Sequence, residues 1–306
     1  MKAAVVTSPG GAPRYDDVPV PEAAGPRERV VRVLAAGLHP EVRSQAGETP
    51  FVPGADGIGT GGDGRPRYFL REPGRPGTLA EQTVIDTWHS VPLPAACDPV
   101  RLAAGIYPAL PPWLGLRCRA GLRAGQEVLV LGPDGAAGPA AVQAARALGA
   151  GTIVAAGRDA GQCSALAGAG AAETVPLDSL DLIVEAASSA DIVLDYVWGQ
   201  FAAAAMTLMV AARGDRGRPL NWVLADAPGG PSAPLPAAVL RGSGLRITGA
   251  GPGSATAEEL TAEVPEIARY VSSGVLGVDT VKVPLSDVER TWKEPADGTR
   301  SVVFVP

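Results

Sequence analysis

Histidine and cysteine are scarce in this chain of 306 residues, at two and three. Cys97, Cys118 and Cys163 form no metal-like pair, and an odd count leaves one without a disulfide partner. Reduced thiols in a cytoplasmic protein are therefore the expectation. A basic excess is also missing: 26 Lys and Arg against 32 Asp and Glu give a net charge of −6. That balance argues against nucleic acid or an anionic membrane surface as the main partner. The longest apolar stretches, such as "FAAAAMTLMVAA", fall well short of the ~20 residues that cross a bilayer. The opening "MKAAVV" lacks the basic, apolar and small-residue succession of a signal peptide and reads directly as strand. Internal repeats and low-complexity linkers are absent too.

What is present is enough chain for two domains, each with its own core. "KAAVVT", "RVVRVLAAG" and "LAEQTVID" are strand-like runs separated by glycine and proline clusters. From "DPVRLAAG" onward helices and strands alternate: "EVLVLG", then the small-residue helix "AAGPAAVQAARALGA", then "TIVAAG" and "AGQCSALAGAGA". "ADIVLDYV", "FAAAAMTLMVAA", "LNWVLA" and "LRITGAG" continue the series. Such alternation predicts a parallel, doubly wound sheet. The tail returns to an amphipathic helix, "ATAEELTAEVPEIARYVSSG", and to the strands "VDTVKVPL" and "RSVVFV". The expected fold is α/β, with a β-rich domain over 1–108 completed by 254–306, and a Rossmann nucleotide-binding domain over 109–253.

The stretch "VLVLGPDGAAG" joins a buried strand to a helix through Gly132, Gly135 and Gly138. Strand before, helix after and a second strand at the right distance make this triplet a dinucleotide loop. Its backbone N–H groups and the helix N-terminus face a diphosphate. The second strand ends in "AAGRD", with Gly157 and Arg158 where an NAD-binding sheet usually places an acid for the ribose hydroxyl. An arginine there suits a 2′-phosphate and points to NADPH, and Asp159 is expected to cap the following helix.

At this point the chain resembles the zinc-independent, quinone oxidoreductase-like branch of the medium-chain dehydrogenases/reductases. The carrying stretches are "VLAAGLHPEVRSQAG", "FVPGADGIGT", "PALPPWLGLRCRAGLRAGQEVLVLG", "VQAARALGAGTIVAAGRD", "IVLDYVWG" and "RITGAG", in the family's order. The resemblance implies a GroES-like N-terminal domain, a Rossmann domain, a catalytic site at their junction and a homodimer. It also implies cofactor contacts from Gly132, Asp134, Gly135, Ala136 and Ala137 in the loop and from Gly157 and Arg158. Tyr196, Ala225 and Gly249 join them at later strand ends. Zinc-dependent relatives place a cysteine where His39 stands and a histidine where Ala55 stands. His39 with Asp56 alone does not make a site of three protein ligands, so no metal is expected.

Three departures from the family pattern stand out. Its loop reads close to "GATG", whereas this one reads "GPDG": Pro133 removes a donor, and Asp134 either caps the helix or faces the diphosphate. At ~5 Å that repulsion would be roughly 3 kcal/mol at an effective dielectric near 20. Relatives often carry Asn where Tyr107 stands, and a small turn where Asp226 stands. His39, Tyr107 and Asp226 are therefore the candidate catalytic groups, His39 first. The leading expectation is an NADPH-dependent reductase of a quinone or α,β-unsaturated carbonyl. The alternatives are a redox-neutral cyclase, isomerase or lyase on the same scaffold, or a nucleotide-binding sensor. "RSQAGETPF", the Tyr68 region, Trp113, Tyr196 and Trp198 are expected to line a pocket for a hydrophobic small molecule.

Overall fold

The structure is a computed structural model that describes residues 1–72, 74–133, 135–294 and 300–306. The chain divides into two compact units, Met1–Tyr107 with Thr256–Pro306, and Pro108–Ala255.

The second unit is a six-stranded parallel sheet. In space its strands run Glu173–Pro176, Ile153–Gly157, Val128–Leu131, Ile192–Asp195, Leu220–Leu224 and Leu245–Gly249. In sequence that is the order 3-2-1-4-5-6 of a Rossmann sheet. Every residue of Val128–Leu131, Ile153–Gly157 and Ile192–Asp195 is buried, as strands covered on both faces must be. Leu129, Leu131, Val193, Met206, Met209 and Trp222 anchor one face of the core. The helix Ala137–Ala147 buries Ala141, Ala144 and Ala145; its small side chains let the backbone approach the sheet. The strand order reverses between Val128–Leu131 and Ile192–Asp195, the topological switch point where nucleotides bind in such sheets.

The first unit is the GroES-like, β-rich part. Among the described residues its main sheet runs Asp279–Pro284, Arg300–Val305, Glu28–Gly37, Asp56–Thr60, Pro66–Leu70 and Ser90–Pro92, with Gln82–Asp86 also paired to Glu28–Gly37. The C-terminal strand joins antiparallel through Val303 opposite Gly37 and Phe304 opposite Ala36. Val31, Val33, Phe69, Ile85, Leu285 and Phe304 form its core. The helix Ala257–Ser273 begins at a capping box between Thr256 and Glu259 and carries Pro265 inside it. Two short helices, Ala237–Arg241 and Val288–Lys293, have too little periodicity to read from sequence. Among the described residues no helix is long and apolar enough to cross a membrane.

Candidate active site

In the first unit the strand Glu28–Gly37 ends at Gly37, and Leu38 donates its N–H to Val302 O at 2.8 Å. His39 follows in extended backbone, just before the four-residue helix Pro40–Arg43. A Cβ on Gly37 would lie 2.3 Å from His39 Nε2, so glycine is needed there for the ring to fold back over the strand end. His39 Nε2 sits 2.9 Å from Asp56 Oδ1. Asp56 opens the neighbouring strand Asp56–Thr60. Tyr68 pairs with Ile58 and Leu70 with Asp56, so alternation brings Tyr68 diagonally next to Asp56 on one face. Tyr107, from the helix Pro99–Leu114, stacks on the imidazole with ring centroids 4.3 Å apart and planes 16° from parallel.

The electrostatics follow from burial. Burial alone would lower the His39 imidazole, but the charge of Asp56 and the bond to it prevail and hold it above its usual range. Burial pushes the Asp56 carboxyl up, against the opposing pull of His39. Asp56 Oδ2 and the Tyr68 hydroxyl are both sealed off and complete no hydrogen bond of normal geometry. Burial, and then the charge of Asp56, raises the Tyr68 phenol well above its normal range. The Tyr107 phenol is raised by burial first and then by the charge of Glu41. Asp56 and Tyr68 expose 0% and 1% of their surface, His39 and Tyr107 5% and 9%. The last two are thus the members of the cluster nearest the outside. The arrangement holds a proton between a buried carboxylate and an imidazole, with a stacked phenol beside it.

This donor set does not fit a zinc ion. Nε2 of His39 is committed to Asp56, and no group of three His, Cys, Asp or Glu among the described residues could hold a metal. His89, the other histidine, sits in the short 3-10 turn Thr87–His89 and is paired through Nδ1 with Glu72 at 2.7 Å.

The nucleotide loop of the second unit begins at Gly132, whose φ of 62° and whose missing Cβ, which would meet Val197 Cγ2 at 2.3 Å, both require glycine. Asp134 lies outside the described residues. The helix Ala137–Ala147 has Ala136 at its N-cap position, and the Ala136 side chain makes no cap bond. Alanine has no side-chain acceptor to offer, and backbone N–H groups at such a helix start are the kind that meet an anion. At the end of the second strand, Gly157 is buried and Arg158 exposed. Asp159 caps the next helix, its Oδ1 accepting from Gln162 N at 2.8 Å.

Around the switch point, Asp195 is fully buried at the end of its strand. Its Oδ1 accepts from the N–H groups of Val197 at 2.8 Å and Trp198 at 2.9 Å, and its Oδ2 from Trp222 Nε1 at 2.7 Å. These bonds hold Trp198 at φ 56° and ψ −162°, a region that side chains other than glycine rarely enter. The Tyr196 hydroxyl is buried without a hydrogen-bond partner, and burial followed by the charge of Asp226 raises its phenol. Asp226 itself is exposed, and its Oδ1 accepts from Ala227 N at 2.7 Å as a turn former. Ala225 donates to Asp195 O at 2.8 Å, and Gly249 ends the edge strand opposite Leu224.

Two expectations about lining residues need correction. Trp113 and Tyr68 expose 0% and 1% of their surface and are core residues. Glu41, Tyr68 as the neighbour of Asp56, Asp195 and Gln162 escaped sequence reading. Only Asp195 had a signal in the sequence: a lone acid closing the apolar run "IVLD".

No family model matches the chain. A curated protein of Emericella nidulans, named "probable NADPH-dependent quinone reductase", is 26% identical over 361 aligned positions that span all of both chains. The quinone oxidoreductase of Thermus thermophilus, solved also with NADPH, is 28% identical with a TM-score of 0.76 over all of both chains. A mycobacterial quinone oxidoreductase, 20% identical over all of both chains, superposes with a TM-score of 0.84. A 2-haloacrylate reductase, 19% identical over all of this chain and 99% of its own, superposes at 0.83; both of these likenesses speak to the fold. With the 3-2-1-4-5-6 sheet, the β-rich unit and the glycine loop, these likenesses make the chain similar in sequence and fold to quinone oxidoreductases of the medium-chain dehydrogenase/reductase type.

Proposed function

We propose that the chain is an NADPH-dependent, zinc-independent reductase of a quinone or an α,β-unsaturated carbonyl compound. The observation that carries the reading is the glycine turn at Gly132 leading into the helix Ala137–Ala147 at the switch edge of a 3-2-1-4-5-6 sheet, with Arg158 directly after the second strand. The Emericella relative is named for NADPH dependence and the Thermus one was solved with NADPH. When bound, NADPH supplies a hydride to the electron-poor carbon of the acceptor. The protein's part is to bind, to orient and to move a proton. N–H groups of the loop and first helical turn meet the diphosphate, and the Arg158 guanidinium meets the 2′-phosphate. His39 holds the proton that the acceptor's oxygen takes. Asp56 keeps that imidazole charged, and the stacked Tyr107 fixes the plane of its ring.

Consumption of NADPH by the purified protein in the presence of a simple quinone or enone tests the reading. Substrate conversion with no NADPH consumed would select a redox-neutral reaction instead, which the Asp56–His39–Tyr107 set could run without a nucleotide. Charge-assisted bonds from Arg158 should contribute on the order of 1.5–3 kcal/mol. Arg158→Ala is therefore expected to weaken NADPH binding by about ten- to a hundredfold and to leave NADH nearly unchanged. Equal affinities of the wild type for the two nucleotides would sink the 2′-phosphate assignment.

The proposal includes a homodimer in the cytoplasm, where Cys97, Cys118 and Cys163, all free thiols, stay reduced. The strand Leu245–Gly249 is paired on one side only among the described residues, and an open edge is an aggregation liability unless a second copy covers it. Sedimentation should find a dimer; a monomer at every concentration would refute this part.

A further inference from the structure

Gln162 lies in the first turn of the helix Ala160–Ala169, its backbone N–H fixed by the Asp159 cap. Its side chain uses both ends of the amide on main chain. Nε2 donates to the carbonyl of Pro133 in the glycine turn, and Oε1 accepts from the N–H of Arg158 at 2.6 Å. One planar amide thus ties together the two segments that face the two phosphate groups of an adenine dinucleotide. The distance between the diphosphate and the ribose 2′-phosphate is set by the ligand. A protein that reads both must therefore hold its two anion-recognising segments at a matching separation. Pro133 offers no N–H, so its carbonyl is the only backbone group through which that residue can be held.

We propose that Gln162 is a positioning residue which locks the glycine turn to the Arg158 turn and so sets the preference for a 2′-phosphorylated dinucleotide. The inference rests on the NADPH reading above. Gln162 needs no contact with the nucleotide for this role: it fixes the backbone from which the Arg158 guanidinium is presented.

Dissociation constants for NADPH and NADH, measured by fluorescence titration on wild type, Gln162→Leu, Gln162→Glu, Arg158→Ala and the Gln162→Leu/Arg158→Ala double variant, test this, with the melting temperature of each free protein. Gln162→Leu removes both ties; Gln162→Glu keeps the acceptor for Arg158 N but puts a carboxylate against the Pro133 carbonyl. Both single Gln162 variants should weaken NADPH about five- to thirtyfold and NADH less than about threefold, because only the ligand with the second anion needs both segments in register. In the Arg158→Ala background the same substitution should no longer change the NADPH-to-NADH ratio. Equal weakening of both nucleotides, no weakening, or a ratio change that survives without Arg158 would overturn the role. A wild type that binds no NADPH would instead bring down the cofactor reading itself, a result separable from the others because it appears before any substitution is made.

Discussion

Replacing His39 by glutamine should lower kcat for quinone or enone reduction by about 10²–10⁴-fold, while the dissociation constant for NADPH stays within about threefold. Glutamine can still donate to Asp56, so the buried carboxylate keeps a partner and the fold is spared. What disappears is a group that carries an acidic proton at neutral pH. Wild-type activity should fall on the alkaline side, with a midpoint above the ordinary 6.5 of histidine, because Asp56 holds the imidazole above that value. The sign follows from linkage. A raised imidazole contributes stability that is complete below 6.5 and is lost as pH climbs through the raised value. The midpoint belongs to the His39–Asp56 pair, since two groups so close titrate together. Asp56→Asn should reverse the shift: with that charge gone, burial, the largest influence, is opposed only by the charge of Glu41, and the imidazole drops below its usual range. With only two histidines in the chain, each gives a resolvable imidazole signal, and the partly exposed His89 serves as an internal reference. An unshifted His39 signal in Asp56→Asn, or a His39→Gln enzyme with full kcat, would remove His39 from the reaction.

The parts of the molecule legible in sequence are those set by local chemistry. The glycine loop could be read because a positive φ at Gly132 and a close approach to Val197 leave few alternatives to glycine. The parallel sheet could be read because "VLVL", "IVAAG" and "IVLD" are buried on both faces and so carry no polar alternation. His39 could be read from its place after a strand end. Its partner Asp56, 17 residues away, stood beside it only through the family resemblance, since nothing local says that a strand pairing will carry it under the imidazole. Nor does anything local point to Gln162, whose amide spans 29 residues to Pro133. The start of the loop helix, at Ala137, was not legible to the residue either, because propensity does not fix a boundary that closely.

Removing the carboxylate of Asp195 should be the most damaging change in the Rossmann unit. Asp195→Ala strands three donors at once: the N–H groups of Val197 and Trp198, and the indole Nε1 of Trp222, which is fully buried. Hydrogen bonds to a charged acceptor contribute about 1.5–3 kcal/mol each and are not additive, so a loss of about 3–5 kcal/mol in unfolding free energy is expected. That is a large share of the ~5–15 kcal/mol of a typical domain. Asp195→Asn is the informative control. Its amide oxygen can still accept from Val197 and Trp198, while its NH₂ would meet the Trp222 N–H donor to donor. In return the cost of burying a charge disappears, so the net loss should be only about 1–2 kcal/mol. The pH dependence separates the two effects. Burial raises the Asp195 carboxyl above its usual 3.8, against the pull of its three hydrogen bonds. Between 3.8 and the raised value the folded state holds a proton that the unfolded chain has released, so this group's contribution falls as pH rises. Wild type should therefore lose ground relative to Asp195→Asn on going from acid to neutral pH, read by urea unfolding at both. NADPH affinity should fall in Asp195→Ala beyond what stability explains, because Trp198 would no longer be held at φ 56° beside the switch point. An alanine variant as stable as wild type would mean that the three donors find water, and that Asp195 does not organise this edge of the sheet.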